Sequence, residues 1–242
     1  VSPDKLVAKY YPEKTGKGPT EKLQVTYKYP NIDILLFARL PVLGKVKTRL
    51  KSALSNIEIL ALYEAMLKRI VSLLNESNLA EVQLWLDNSP VNENKFVSDL
   101  PLHFKINEQV GGDLGDKMNF AINKSLATKN SKCALLLGSD CPALTLDYVD
   151  NALCLLNEGA QLVLGPAEDG GYVLIGVNKS YPELFQGIQW GTDKVLEETI
   201  RKAESIGVDY VCLEPLWDVD RPDDIGRLSE LEPTLDWAKY YK

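Results

Sequence analysis

Apolar residues follow two rhythms along this chain, and the switch between them marks its elements. Residues 32–38 (IDILLFA) are almost continuously apolar, the pattern of a strand covered on both faces. The segment SNIEILALYEAMLKRIVSLLN then repeats apolar residues at helical spacing, with Ser55 or Asn56 as its N-cap. EVQLWLD reads as a second strand. A polar stretch with a short helical pattern leads to an edge segment, LPLHFKIN. LGDKMNFAINKSLA is an amphipathic helix and KCALLLGSD another buried strand, after which Thr145 is placed to cap the next helix. QLVLG and YVLIGV are apolar runs joined by PAEDGG. TDKVLEETIRKAESIG predicts a helix with Thr192 as its cap, and VDYVCLEP followed by WDVD predicts the last strands.

Strands alternating with helices predict one α/β domain over residues 31–242, with a mostly parallel sheet, helices on its faces and ligands at the carboxyl ends of its strands. Residues 1–30 mix Lys, Thr, Gly, Pro and Tyr without a sustained period and read as an extension of uncertain order. No internal repeat interrupts the alternation.

Charge narrows the function. A formal charge of −7 argues against a general nucleic-acid or membrane-surface binder, since both partners are polyanions. No apolar run reaches the roughly 20 residues that span a bilayer, and the first residues lack a signal-peptide pattern, so a soluble cytoplasmic protein is expected. The 4 cysteines form no CxxC pair and read as reduced structural residues. His103 is the single histidine, which excludes His-rich metal sites and leaves any Ser-His-Asp mechanism resting on one residue that reads as a surface or packing histidine.

Against that acidic background, residues 39–51 hold 5 basic residues with no acid between Asp33 and Glu58. The loop follows a strand and opens a helix, so Gly44 can let the backbone approach a ligand while helix-start amides, Arg39, Lys45, Lys47 and Arg49 face phosphate oxygens. It lacks the GxxxxGK[ST] order of a P-loop. Asp140, in GSDCP, emerges at the end of a buried strand, where a carboxylate can supply one of the few protein ligands that Mg²⁺ or Mn²⁺ takes beside phosphate and water. Asp218 and Asp220 in WDVDRP share one face if the backbone is extended and could reach the same metal. In PAEDGGY, Glu168 and Asp169 are either part of a hairpin turn or carboxylates over the crevice, able to bond sugar hydroxyls or take a proton. Asp113 in GGDLGD either starts a helix or faces the ligand. Trp190 either packs or stacks on a sugar or base.

The motifs PVLGKVKTRL, GGDLGDKM, GSDCPALT, GPAEDGGYVLIG, LFQGIQWGTDKVL and DVDRPDDI, in that order, resemble the selenodomain-associated transferases, also described as arsenosugar-biosynthesis glycosyltransferase-like, of the nucleotide-diphospho-sugar transferase superfamily. The resemblance runs from about Asp33 to Leu228, with Arg39 where Lys is common and Lys117 where Arg is frequent. It implies a GT-A fold and a metal-assisted transfer from a nucleotide-sugar donor to a small-molecule acceptor. In that mechanism the basic loop orients the diphosphate and Asp140 with Asp218 or Asp220 holds the metal. Asp169 or Glu168 meets the acceptor, and Trp190 and Thr192 lie near the substrate. The PxxGxxKTRL loop also resembles 2-phospholactate guanylyltransferase, a nucleotidyltransferase, and a silent nucleotide-binding protein is a third alternative.

Overall fold

The computed structural model describes residues 26–87, 96 and 104–237. The reading of residues 1–25, the polar stretch after Asp87 and His103 lie outside them. Seven strands form one sheet in the order β3-β2-β1-β4-β6-β5-β7. They are β1 Ile32–Arg39, β2 Glu81–Asp87, β3 Lys105–Glu108, β4 Cys133–Gly138, β5 Leu162–Pro166, β6 Tyr172–Val177 and β7 Tyr210–Cys212. Every pairing is parallel except those of β6, which runs antiparallel between β4 and β5.

Among the described residues, four helices cover the two faces: α1 Asn56–Asn75, α2 Leu114–Leu126, α3 Leu146–Asn157 and α4 Val195–Ser205. The continuous apolar run of β1 is explained by this arrangement. Ile34 and Leu36 join a cluster with α1 and α3, whereas Leu35 and Phe37 join a second cluster with α2 and part of α4. Ser55 resolves the choice at the start of α1. Its hydroxyl accepts from Glu58 N while the Glu58 carboxylate accepts from Ser55 N at 2.8 Å, a complete capping box. Thr145 caps α3 as expected. Ordered packing begins before β1: Tyr29 is buried, and its backbone N–H donates to Leu79 O.

β3, which begins at Lys105 in the segment LPLHFKIN, is an edge strand as expected. Two local expectations are corrected. WDVD is not a strand, because its backbone groups bond to loops: Val219 N donates to Asp140 O, and Asp220 N to the Asp224 carboxylate. Thr192 is not a helix cap. Its hydroxyl donates to Gln189 O and accepts from Lys194 N, and α4 starts at Val195 after Lys194.

Gly115, in the first turn of α2, shows how tightly the second cluster is closed. A Cβ there would stand 2.6 Å from Phe185 O and 2.8 Å from the Trp190 ring. Gly115→Ala should therefore destabilise the protein by about 1–3 kcal/mol through overpacking, although alanine is the better helix former. Urea unfolding checks the sign, and a more stable variant would show that the helix shifts freely.

Candidate functional site

All six parallel strands end at the same edge of the sheet, and each delivers a polar residue to one cleft of about 620 Å³. Arg39 closes β1, Asp87 closes β2, and Gln109 follows β3; Ser139 and Asp140 follow β4, and Asp169 follows β5. Asp218 and Asp220 arrive from the segment after β7, and the first residues of β6, Tyr172 and Val173, complete that wall. Asp113 and Lys117, at the start of α2, and Lys47 and Arg49, from the loop after β1, also line it. The cleft straddles β1 and β4, where the chain's path through the sheet reverses direction, which is where open α/β sheets place ligands.

The electrostatic centre is Lys47. Its Nζ lies 2.8 Å from Asp140 Oδ2 and 3.5 Å from Asp220 Oδ1, with the side chain only 7% exposed. Burial works against the charged ammonium, but Asp140, Asp220 and Asp218 outweigh it and hold its pKa above the ordinary lysine value. Lys47 also adopts a left-handed backbone, with φ at 41°, just before a short 3-10 helix at Thr48–Ser52. That turn, rather than an α-helix, is what the basic loop opens.

Arg49 pairs with Asp220 from the outer side. Burial tends to raise the Asp220 pKa, but Lys47 and Arg49 overcome this and hold it below the usual carboxylate value. Asp218 is different. Burial and then the neighbouring Asp169 charge raise it from 3.8 to about 6, against the opposing pull of Lys47. The segment bearing Asp218 and Asp220 is docked against the Asp140 loop by Val219 N donating to Asp140 O and Cys141 Sγ donating to Trp217 O at 3.2 Å.

Among the described residues, no group of three His, Cys, Asp or Glu side chains forms a finished metal cage. Magnesium bound with a nucleotide needs only one or two carboxylates, its other positions being filled by water and phosphate. Asp140, Asp218 and Asp220 are hard oxygen donors whose combined charge exceeds that of Lys47 and Arg49. The donor set therefore fits a hard divalent cation.

Residues 70–192 match the DUF2064 family, described as uncharacterized proteins conserved in bacteria. The chain belongs to this family. The matched stretch includes Asp140 and Asp169 but neither the basic loop nor Asp218 and Asp220. The chain is also similar to a crystal structure from Desulfovibrio desulfuricans G20 described as a nucleotide-diphospho-sugar transferase, at 30% identity and a TM-score of 0.77, covering 86% of this chain and 90% of that one. More distant structures share the fold. CMP:2-keto-3-deoxy-manno-octonic acid synthetase complexed with CTP has 10% identity and a TM-score of 0.52, covering 84% of this chain and 98% of that one. Rv0371C complexed with manganese, from Mycobacterium tuberculosis H37Rv, has 15% identity and a TM-score of 0.51, covering 84% and 99%. No curated protein matches the chain. The fold of this DUF2064 protein is the GT-A-like α/β type.

Eight residues singled out in the sequence line the cleft: Arg39, Lys47, Arg49, Asp113, Asp140, Asp169, Asp218 and Asp220. Five others, Gly44, Lys45, Glu168, Trp190 and Thr192, are not part of its lining. Gly44 has φ at 73° and sits in the turn closed by Lys45 N donating to Val42 O, which leaves Lys45 exposed. Glu168 is held by Arg227 in a two-bond fork of 2.6 and 3.0 Å, which lowers its pKa. A carboxylate so held is a poor base. Trp190 packs over Gly115, and Thr192 closes its own turn. Asp113 lines the cleft while capping α2, accepting from Asp116 N at 2.8 Å.

The sequence motifs leave Asp87, Gln109 and Tyr63 unmarked among the lining residues. Asp87 ends a strand just as Asp140 follows one, so the same positional signal was available; it accepts from Leu40 N at 3.0 Å. Gln109 donates to Ala38 O and Trp85 O, tying together the ends of β1 and β2. Tyr63, within the apolar stripe of α1, donates to Arg39 O and accepts from Arg39 N. Nothing local distinguishes it from a core aromatic.

The Asp218 shift has a stability consequence. Its folded pKa of about 6 lies above the ordinary 3.8, so the native state binds more protons between these values and stability falls as pH rises through that window. Asp218→Asn should therefore stabilise the free protein at pH values above the window by about 1–2 kcal/mol, after allowance for solvent screening. The gain should disappear below the window, where the carboxyl is protonated in both states. Denaturant midpoints on either side test this, and a pH-independent difference would assign the effect to packing.

Proposed function

We propose that this protein is a divalent-metal-assisted glycosyltransferase using a nucleotide-diphospho-sugar donor. The observation that carries the reading is the cleft itself, in which Asp140, Asp169, Asp218 and Asp220 stand beside Lys47, Arg49, Arg39 and Lys117 at the strand ends. The 30% identical Desulfovibrio desulfuricans G20 structure, described as a nucleotide-diphospho-sugar transferase, supports it. So does the motif resemblance to the selenodomain-associated transferases.

The cations face the donor's diphosphate, and Asp140 with Asp218 or Asp220 would hold Mg²⁺ or Mn²⁺. The bound ion would neutralise charge on the departing nucleoside diphosphate. In the transfer, the bond between the sugar carbon and the diphosphate oxygen breaks and the acceptor oxygen bonds to that carbon. Asp169, which lines the cleft, would receive the acceptor's proton. Glu168 supports the loop bearing Asp169 through Arg227. Asp140→Asn should lower turnover by about 100-fold or more if its charge helps hold the ion, whereas Glu168→Gln should act mainly on stability.

One observation favours a second reading, nucleotidyl transfer. Arg39 closes β1 beside Asp87, whereas Lys47 and Arg49 gather at Asp140 and Asp220, so the cleft holds cations in two places, as an acceptor phosphate opposite a leaving pyrophosphate requires. A distant structural relative was solved with CTP. Incubation with nucleotide-sugars and with nucleoside triphosphates, followed by chromatography, separates the readings. The expected product is a nucleoside diphosphate with a glycosylated acceptor. Acceptor-dependent pyrophosphate release from a triphosphate, without nucleotide-sugar turnover, would establish nucleotidyl transfer instead.

A further inference from the structure

We propose that Lys47 is an internal counter-ion that withholds the carboxylate site from a divalent cation until a diphosphate enters the cleft. Metal and nucleotide then bind as a coupled pair. The inference rests on the metal-assisted reading above and adds an order of events to it.

The Lys47 ammonium contacts Asp140 Oδ2 at 2.8 Å and approaches Asp220 Oδ1 at 3.5 Å, two of the three carboxylates assigned to the metal. A divalent ion cannot take those oxygens while a cation already sits against them, because the two charges repel at contact distance. Nor can the ammonium simply withdraw into water. Its side chain is 7% exposed, so leaving one anion requires finding another. A diphosphate in the same cleft supplies that anion. Its oxygens can accept from Lys47, release Asp140, and complete the coordination of an ion that Asp140 and Asp218 alone leave largely to water.

The surrounding charges favour this exchange over a permanent ion pair. Asp140, Asp169, Asp218 and Asp220 carry four formal negative charges when ionised, against two positive charges on Lys47 and Arg49, so the free site retains an excess of two. Arg49 approaches Asp220 from the outer side and can keep that carboxylate paired when Lys47 turns away. Asp140 is 42% exposed, accessible to an incoming ion once the ammonium has moved. A purely structural salt bridge needs none of these features.

The test measures metal binding rather than turnover. Mn²⁺ is titrated into wild type and Lys47→Met, and the free ion is followed by electron paramagnetic resonance. The titrations are made without nucleotide, with UDP and GDP in turn, and with uridine and guanosine, each corrected for protein-free ion binding. Wild type should bind Mn²⁺ weakly alone and more tightly with a diphosphate, while the nucleosides have no such effect. Methionine keeps the buried stem but removes the charge, so Lys47→Met should bind Mn²⁺ alone about tenfold tighter than wild type. Its gain on adding a diphosphate should be smaller than the wild-type gain. Equal Mn²⁺ affinity for the two proteins without nucleotide overturns the counter-ion role, as does tight binding to wild type alone. Circular dichroism establishes folding; if Lys47→Met is unfolded, Lys47→Gln carries the same comparison. Absence of Mn²⁺ binding under every condition, diphosphate included, removes the metal-assisted reading and this inference with it.

Discussion

The chain gathers like charges where six parallel strands end, and the ammonium of Lys47 makes that gathering tolerable. Parallel strands all deliver their following loops to one edge, so carboxylates at those positions must meet. Asp140, Asp218 and Asp220 do so around a group that is almost fully enclosed, with Asp169 beside Asp218. Burying a cation is costly by itself, as is crowding four carboxylates, and each arrangement is sustained by the other. The left-handed backbone at Lys47 and the upward shift of Asp218 are the strain that remains.

This strained centre is mounted on rigid supports. Val219 N and Cys141 Sγ fasten the segment carrying Asp218 and Asp220 to the Asp140 loop. Glu168 and Arg227 fasten the hairpin that bears Asp169, and Arg227 lies over the Trp217 ring at 4.8 Å. On α1, Arg69 donates to the carbonyls of Pro142, Pro233 and Glu232, holding the chain beyond Asp140 from behind. Residues that look reactive in sequence, Glu168 above all, thus serve to place those that face the cleft. The cleft is mixed in kind: Arg39, Asp87 and Gln109 stand at the ends of β1, β2 and β3, and the acidic group gathers around Lys47.

Much of this was legible in the sequence, because periodicity reports burial directly. The apolar run of β1, the helical stripe of α1 and the capping box at Ser55 each need only their own neighbours to form. Strand order along the chain then implied a parallel sheet, and a parallel sheet implied that Asp140 would stand at its ligand-binding edge. Other features depended on partners far away in the chain. Whether Glu168 faced a substrate or Arg227, 59 residues on, is a question of three-dimensional proximity. The same is true of Trp190, which fills the space that Gly115 leaves, and of the WDVD segment, whose hydrogen bonds go to loops instead of a ladder. The sequence could mark Lys47 as basic and Asp140 and Asp220 as acidic, and it assigned them to separate ligands. Only the tertiary structure decided that they hold one another, since a charge pair forms according to distance and burial, and neither is encoded in residue type or spacing.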